Sequence, residues 1–460
     1  AQLFKVSIDQ RTKISSLAQL LAQPGIEYVV PNAKVHAFTA PVDTAALKEQ
    51  WAISKVQAEK AWARAGNKGS RNVIVAVIDT GVDYKHESLA PNAVPGYDFK
   101  ANDSDPMDET GSQNPGHGTH CAGAVGATGL VDGGIVGLSP EVSIMPIRFL
   151  GKDGSGDFES AVRAIDYAIE KKVNVISASW GAAIPATQAQ PLLEAIKRAD
   201  DAGIIFVAAA ANDGKDNDKT SYYPTNNGMP NSISVAASGS GDAKPKWSNF
   251  GKANVHVAAP GEGIMSTLPG NKYGNLSGTS MATPLVSGLV AFLKSQDPTL
   301  TGAQIRALLQ STGARVSIET ACNCRVDAFE AVDALLSKKM YLVPSAATLK
   351  ADESVTLQVM NGKAPYSFAS SSDAITVDQA GVMKAVGKGT ATITVKDADG
   401  VTFTSLDIVA GKASSTPNPG NPNPPGTPPS QPGTPGECPL GDQATCDMIC
   451  LLDPTLPFCQ

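Results

Sequence analysis

Ser280 stands where a nucleophile would be useful. It lies in Gly278-Thr279-Ser280-Met281-Ala282-Thr283-Pro284, and behind the proline Val286, Leu289, Val290 and Leu293 recur at helical spacing, which predicts a helix with Ser280 at its N-terminus. A hydroxyl there faces unpaired backbone N–H groups and the positive end of the helix dipole, a setting that stabilises an alkoxide-like transition state and its oxyanion. Serine is also a preferred helix cap, so the hydroxyl alone decides nothing. A base able to take its proton, and an acid to orient that base, would decide it.

Three other residues answer that need. His117 is flanked by glycines in Gly116-His117-Gly118-Thr119-His120-Cys121-Ala122-Gly123, which let the backbone approach a neighbour and turn the imidazole outward; Asp79 ends an apolar run, and Asn212 follows another. Singly, each has an ordinary reading as a turn residue or a hydrogen-bonded core histidine. What joins them is the fold that the hydrophobic pattern implies. Continuous apolar runs at 73–78, 142–149, 173–179, 204–210, 233–237 and 255–259 read as strands buried on both faces, and between them Phe158, Ala161, Val162, Ile165 and Ile169, then Leu192, Leu193 and Ile196, keep helical spacing. The expected fold class is α/β, a mostly parallel sheet with helices on both faces. In such a sheet the chemistry belongs at the carboxyl ends of strands and the amino ends of helices, where all four residues fall.

Asp79-Thr80-Gly81, His117-Gly118-Thr119-His120 and Gly278-Thr279-Ser280-Met281-Ala282-Thr283-Pro284, in that order and widely separated, resemble the motifs of the subtilisin-like serine proteases, or subtilases. The resemblance covers roughly residues 1–338. It implies a secreted endopeptidase acting on polypeptide substrates, with Ser280 as nucleophile, His117 as general base, Asp79 holding its tautomer, and Asn212 binding the oxyanion. His120 is then structural, and Cys121 resembles the lone thiol of some members and should be buried. Ala211 stands where the family commonly has glycine, and its methyl should narrow the neighbouring pocket; Leu285 replaces a histidine that is not part of the triad. By the same similarity Gly154, Ser155 and Gly156 on one side, and Ser179, Trp180 and Gly181 on the other, should flank an extended substrate. Ala209 and Ala211 should line an apolar primary pocket, with Asp213 at its rim.

Asp98, Asp103, Asp105 and Asp108, just upstream of His117, offer oxygen ligands at close spacing, and the segment resembles a calcium loop of some subtilases, which makes Ca2+ the expected cofactor and a solvated acidic loop the alternative. Ser88 replaces the acidic residue of a second family site. The first 40 residues resemble the tail part of a subtilase prosegment. They are expected to form a strand, a helix bearing Ile14, Leu17, Leu20 and Leu21, and a strand at 26–30, with the chain's own prosegment as a partner of its cleft and autocatalytic cleavage between about His36 and Leu47, Phe38 filling the pocket.

Length and composition frame the rest. At 460 residues the chain is long for one domain, and its net charge of -7 comes without a basic cluster, which argues against nucleic acid as a partner. No apolar run reaches membrane-spanning length, so membrane insertion is not expected. No signal-peptide pattern opens the sequence, so an exported form should already have lost one. The expected organisation is a prosegment-like region at 1–45, a catalytic domain at 46–338, a small β-sandwich at 339–411, a Pro-rich linker at 412–437 and a Cys-containing tail at 438–460. The stretch from Gly381 to Ile393 is similar to bacterial Ig-like domains, modules that bind surfaces or act as spacers. A surface- or matrix-binding protein in which these C-terminal modules carry the main role is therefore the alternative to the protease reading. Cys438, Cys446, Cys450 and Cys459 suggest local disulfides and an oxidising, extracellular compartment; zinc is the weaker reading without a nearby histidine.

Overall fold

In the computed structural model the described residues are 25–38, 50–132 and 134–411, with Leu3, Val6, Leu20, Leu21 and Gln23. Of the strand and helix expected within residues 1–24 only Leu3 and Val6, neither in a strand, and Leu20 and Leu21, both helical, are among them; the Pro-rich linker and the Cys-containing tail lie outside. The strand expected at 26–30 is not one. The strand of this region is Lys34–Ala37, further along the chain, because pairing follows where free sheet edges are rather than local β-propensity.

The body is organised on a nine-stranded sheet. Its order is Ala314–Arg315, Cys324–Arg325, Val257–Pro260, Ser232–Ser238, Ile205–Ala209, Val175–Ala178, Ile74–Asp79, Ser143–Arg148 and Tyr97–Asp98. Every pairing is parallel except the edge pair Ala314–Arg315 with Cys324–Arg325. Burial explains the unbroken apolar runs. Val75 and Val77 enter one core with the helices His117–Gly126 and Thr279–Gln296, while Ala76 and Ile78 enter the opposite core with Phe158–Glu170 and Gln190–Asp201. Period-2 alternation therefore serves two apolar faces at once. The chain leaves Ile74–Asp79 for Ser143–Arg148 on one side and returns to Val175–Ala178 on the other, which makes the end of Ile74–Asp79 the topological switch point. Asp79 is its last residue.

Short strands from Tyr341–Val343 to Ile408–Ala410 form four small sheets around a third core of Leu342, Leu349, Ile375, Met383, Ile393, Val395 and Ile408. The linking strand is shared. Met340 and Leu342 point into this module, whereas Tyr341 and Val343 belong to the core of the larger body. Cys322 and Cys324 form a disulfide at the sheet edge.

Candidate active site

The switch point brings Asp79 and His117 into contact. His117 is the first residue of the helix His117–Gly126, after Gly116 at φ 108°, and its Nδ1 lies 2.7 Å from Asp79 Oδ1 with both side chains buried. Gly118 makes that approach feasible, since a Cβ there would lie 2.1 Å from Gly81 O and 3.0 Å from Asp79 Cβ. Burial is the largest single influence and disfavours charge on the imidazole, but Asp79 and then Cys121, whose Sγ lies 4.0 Å from His117 Nδ1, together outweigh it, and the proton affinity of His117 rises well above the usual 6.5. His117 Nε2 is buried without a partner and so is free to receive a proton.

Ser280 is the second residue of the helix Thr279–Gln296, a position whose N–H has no intrahelical acceptor. Its Oγ donates to Ser179 O at 2.9 Å. Ser179 Oγ and Cys121 Sγ in turn donate to Ser280 O, at 3.0 and 3.4 Å, and fix the backbone that carries the hydroxyl. Asn212 follows the strand Ile205–Ala209. Its Oδ1 accepts from Thr279 N and Thr279 Oγ1, each at 2.9 Å, which leaves Nδ2 buried and unpartnered. Ala211 adopts φ 88°, a strained conformation for a residue with a side chain, held by its own N–H donating to Thr279 Oγ1 at 3.2 Å.

An extended segment already occupies the groove beside these groups. Lys34–Ala37 runs antiparallel between two strands, with Val35 opposite Gly156 and His36 opposite Ser155 on one side, and His36 opposite Gly181 and Ala37 opposite Trp180 on the other. Ala37 N donates to Gly154 O at 3.0 Å and Phe38 N to Ser179 O at 3.2 Å. The Phe38 ring abuts Gly181, where a Cβ would come within 2.9 Å of Phe38 Cζ. At Gly278 a Cβ would lie 2.7 Å from Phe38 O and 3.2 Å from Asn212 Nδ2, so the Phe38 carbonyl and the free amide crowd the same spot. Residues 39–47 of the expected cleavage interval lie outside the described residues.

Gly154, Ser155, Gly156, Ser179, Trp180 and Gly181 are thus brought around one extended chain, though Trp180 takes part through its backbone alone. Its indole turns into the core, donating to Ile78 O at 2.8 Å and meeting Phe149 edge-on. Ala209 and Ala211 are fully buried. His120 is structural in its contacts: Nε2 faces Ile264 O at 2.9 Å and Gly274 O at 3.2 Å, and burial pulls its pKa down to about 3. Cys121 is buried and free, and burial pushes its thiol up.

The four acidic residues sit in different surroundings. Asp98 is buried against Arg148 Nη1 at 2.8 Å and also accepts from Lys100 N and Ala101 N. Asp108 is buried and takes hydrogen bonds from Thr80, Asn114 and Thr119. Asp103 and Asp105 stay exposed, Asp105 accepting from the Tyr84 hydroxyl. Asp98 and Asp108 thus have protein donors on their oxygens, whereas Asp103 and Asp105 keep oxygens open to solvent, the kind of ligand that calcium takes. Sequence reasoning also missed Thr279 and the hydroxyls Thr80 and Thr119, although each sits beside a candidate residue within its own motif.

Residues 70–336 match the profile of the Subtilase family, and residues 351–399 that of the intimin immunoglobulin-like domain. Thermitase from Thermoactinomyces vulgaris is 38% identical over 277 residues, 60% of this chain and 92% of thermitase. The major intracellular serine protease of Bacillus subtilis is 40% identical over 251 residues, 53% of this chain and 75% of that protein. Subtilisin E from the same species is 34% identical over 298 residues, 65% and 72% of the two chains.

Proposed function

The chain belongs to the subtilase family and is a subtilisin-like serine protease, and from that premise we propose that it is a secreted, autoprocessed endopeptidase that cuts extended polypeptides after a large apolar residue. The observation that carries this reading is the segment 34–38, seated as an added strand between Ser155–Asp157 and Trp180–Ala183 with the Phe38 carbonyl beside Asn212 Nδ2. A substrate held this way gains backbone hydrogen bonds on both edges whatever its sequence, and one side chain enters the pocket.

In the reaction His117 Nε2 takes the Ser280 proton as Oγ attacks the carbonyl, and later returns it to the leaving amine. Ser280 must first turn its hydroxyl from Ser179 O toward the imidazole. Asp79 holds the Nδ1–H tautomer and stabilises the imidazolium. Asn212 Nδ2 and the Ser280 N–H receive the oxyanion, and because Thr279 pins the amide oxygen, the donor is in place before charge develops.

The same geometry supports residues 1–38 of the prosegment-like region as a prosegment released by a cut between Phe38 and Thr39. Export is supported by the terminal cysteines, whose disulfides would need an oxidising compartment. A fluorophosphonate probe should label the parent and not Ser280→Ala, and mass spectrometry should find the cut in the parent alone. An unlabelled, correctly folded and processed parent would sink the protease reading; an active enzyme still covalently intact at Ala1 would end the autoprocessing one.

A further inference from the structure

Resting on that reading of Asp79 and His117, we propose that Asp108 is a positioning residue, a buried carboxylate that locks the end of the Asp79 strand to the start of the His117 helix. Its Oδ1 accepts from Thr80 Oγ1 and Asn114 Nδ2, both at 2.9 Å. Its Oδ2 accepts from Thr119 N at 3.0 Å and Thr119 Oγ1 at 2.7 Å. Four donors therefore converge on one carboxylate, about the full number of lone-pair sites that it has.

Each donor leads straight to the reacting groups. Thr80 donates its backbone N–H to Asp79 Oδ1 at 2.7 Å, and its Oγ1 accepts from Gly118 N at 2.9 Å. Asn114 Oδ1 accepts from Gly116 N at 3.0 Å and His117 N at 2.8 Å. Thr119 lies two residues beyond His117 on the same helix. Asp79, Thr80, Asp108, Asn114, Thr119 and His117 thus close a ring of short contacts through which Asp108 fixes the separation of the Asp79 carboxylate and the His117 imidazole. No other side chain of this size fits the role, because an asparagine presents an amide N–H₂ where two donors already point. Asp108 touches neither substrate strand, so its effect must fall on the proton-transfer geometry and not on binding.

The test uses the full chain, with turnover per active site counted from the endpoint of fluorophosphonate labelling. In Asp108→Asn, kcat should fall by about 10- to 100-fold, the scale of a small misplacement at a catalytic pair, while KM for a peptide substrate stays within about twofold. Thr119→Val, which removes one of the four donors, should move kcat the same way, and Thr119→Ser, which keeps it, should restore it. If Asp108→Asn does not fold, the Val and Ser pair at position 119 carries the test. Unchanged kcat per labelled site in Asp108→Asn or Thr119→Val, or a rise in KM at constant kcat, would overturn the proposal. A parent that is not labelled at all refutes instead the reading on which it rests.

Discussion

Thr279 gives both its backbone N–H and its hydroxyl to Oδ1 of Asn212, each at 2.9 Å. An amide with its oxygen doubly held has its nitrogen aimed by default, and here Nδ2 is buried with no partner of its own. Such a donor is costly to keep in a resting protein and useful only when an acceptor arrives.

Asn212→Leu should therefore lower kcat and leave KM nearly unchanged, since the interaction matures only in the transition state. The expected loss is roughly 100- to 1000-fold, the size that removal of this donor has in subtilisin itself. Thr279→Val keeps the backbone N–H but loses the hydroxyl, and should cost a smaller part of the same kcat. Steady-state kinetics on one peptide substrate check both, and an unchanged kcat in Asn212→Leu removes the residue from the oxyanion site.

The pH profile follows from His117. Because Asp79, with Cys121, raises its proton affinity well above the usual 6.5 against the opposing effect of burial, the free base is lost on acidification at a higher pH than for an isolated imidazole. The acid limb of kcat/KM should accordingly lie above 6.5 in the parent. Asp79→Asn removes the attraction, so the limb should move down while kcat falls by roughly 30,000-fold, as loss of this carboxylate does in subtilisin. A limb that stays put in Asp79→Asn would mean that another group titrates there.

Much of this site was legible because the relevant residues end or begin regular elements. Asp79 closes an apolar run and Ser280 precedes an apolar helix, so periodicity alone places them at the rim of the sheet. Thr80, Thr119 and Thr279 were not legible, because a threonine hydroxyl has no pattern of its own and acquires a role only when a distant acceptor arrives. The hydrogen bonds of Asp98 and Asp108 were hidden for the same reason, since Arg148, Asn114 and Thr119 reach them only in the folded chain. The strand at 34–37 escaped local reading because its edges are supplied by residues more than a hundred positions away.

His120 predicts how the fold responds to acid. Burial lowers its pKa to about 3, and its Nδ1 is buried without a partner, so the folded state resists protonation. An unfolded chain takes up that proton near 6.5 and therefore binds more protons than the folded one between that value and about 3. Stability is thus full above 6.5 and declines as pH falls through this window, by a few kcal/mol at about 1.4 kcal/mol per unit. His117, shifted upward, acts in the opposite sense, so the informative quantity is the difference between parent and His120→Gln. Denaturant midpoints from pH about 7.5 to 4.5 should fall more steeply in the parent. Parallel slopes would assign the acid sensitivity elsewhere.

The strand Tyr341–Val343 predicts that protease and C-terminal module unfold together. Tyr341 and Val343 are buried in the larger body's core while Leu342 is buried in the module's, and Phe403 packs against both. The two bodies are also stitched by Ser311 Oγ with Ser345 Oγ at 2.9 Å. All four tryptophans, Trp51, Trp62, Trp180 and Trp247, precede this strand, so tryptophan fluorescence reports on the protease body alone. Leu342→Ala damages the module's core alone, by about 3 kcal/mol, and under joint unfolding should lower the tryptophan-reported thermal midpoint by roughly 5 °C or more. If the module were an independent bead, its core could be damaged without any effect on that signal, and an unmoved tryptophan transition in Leu342→Ala would establish that independence.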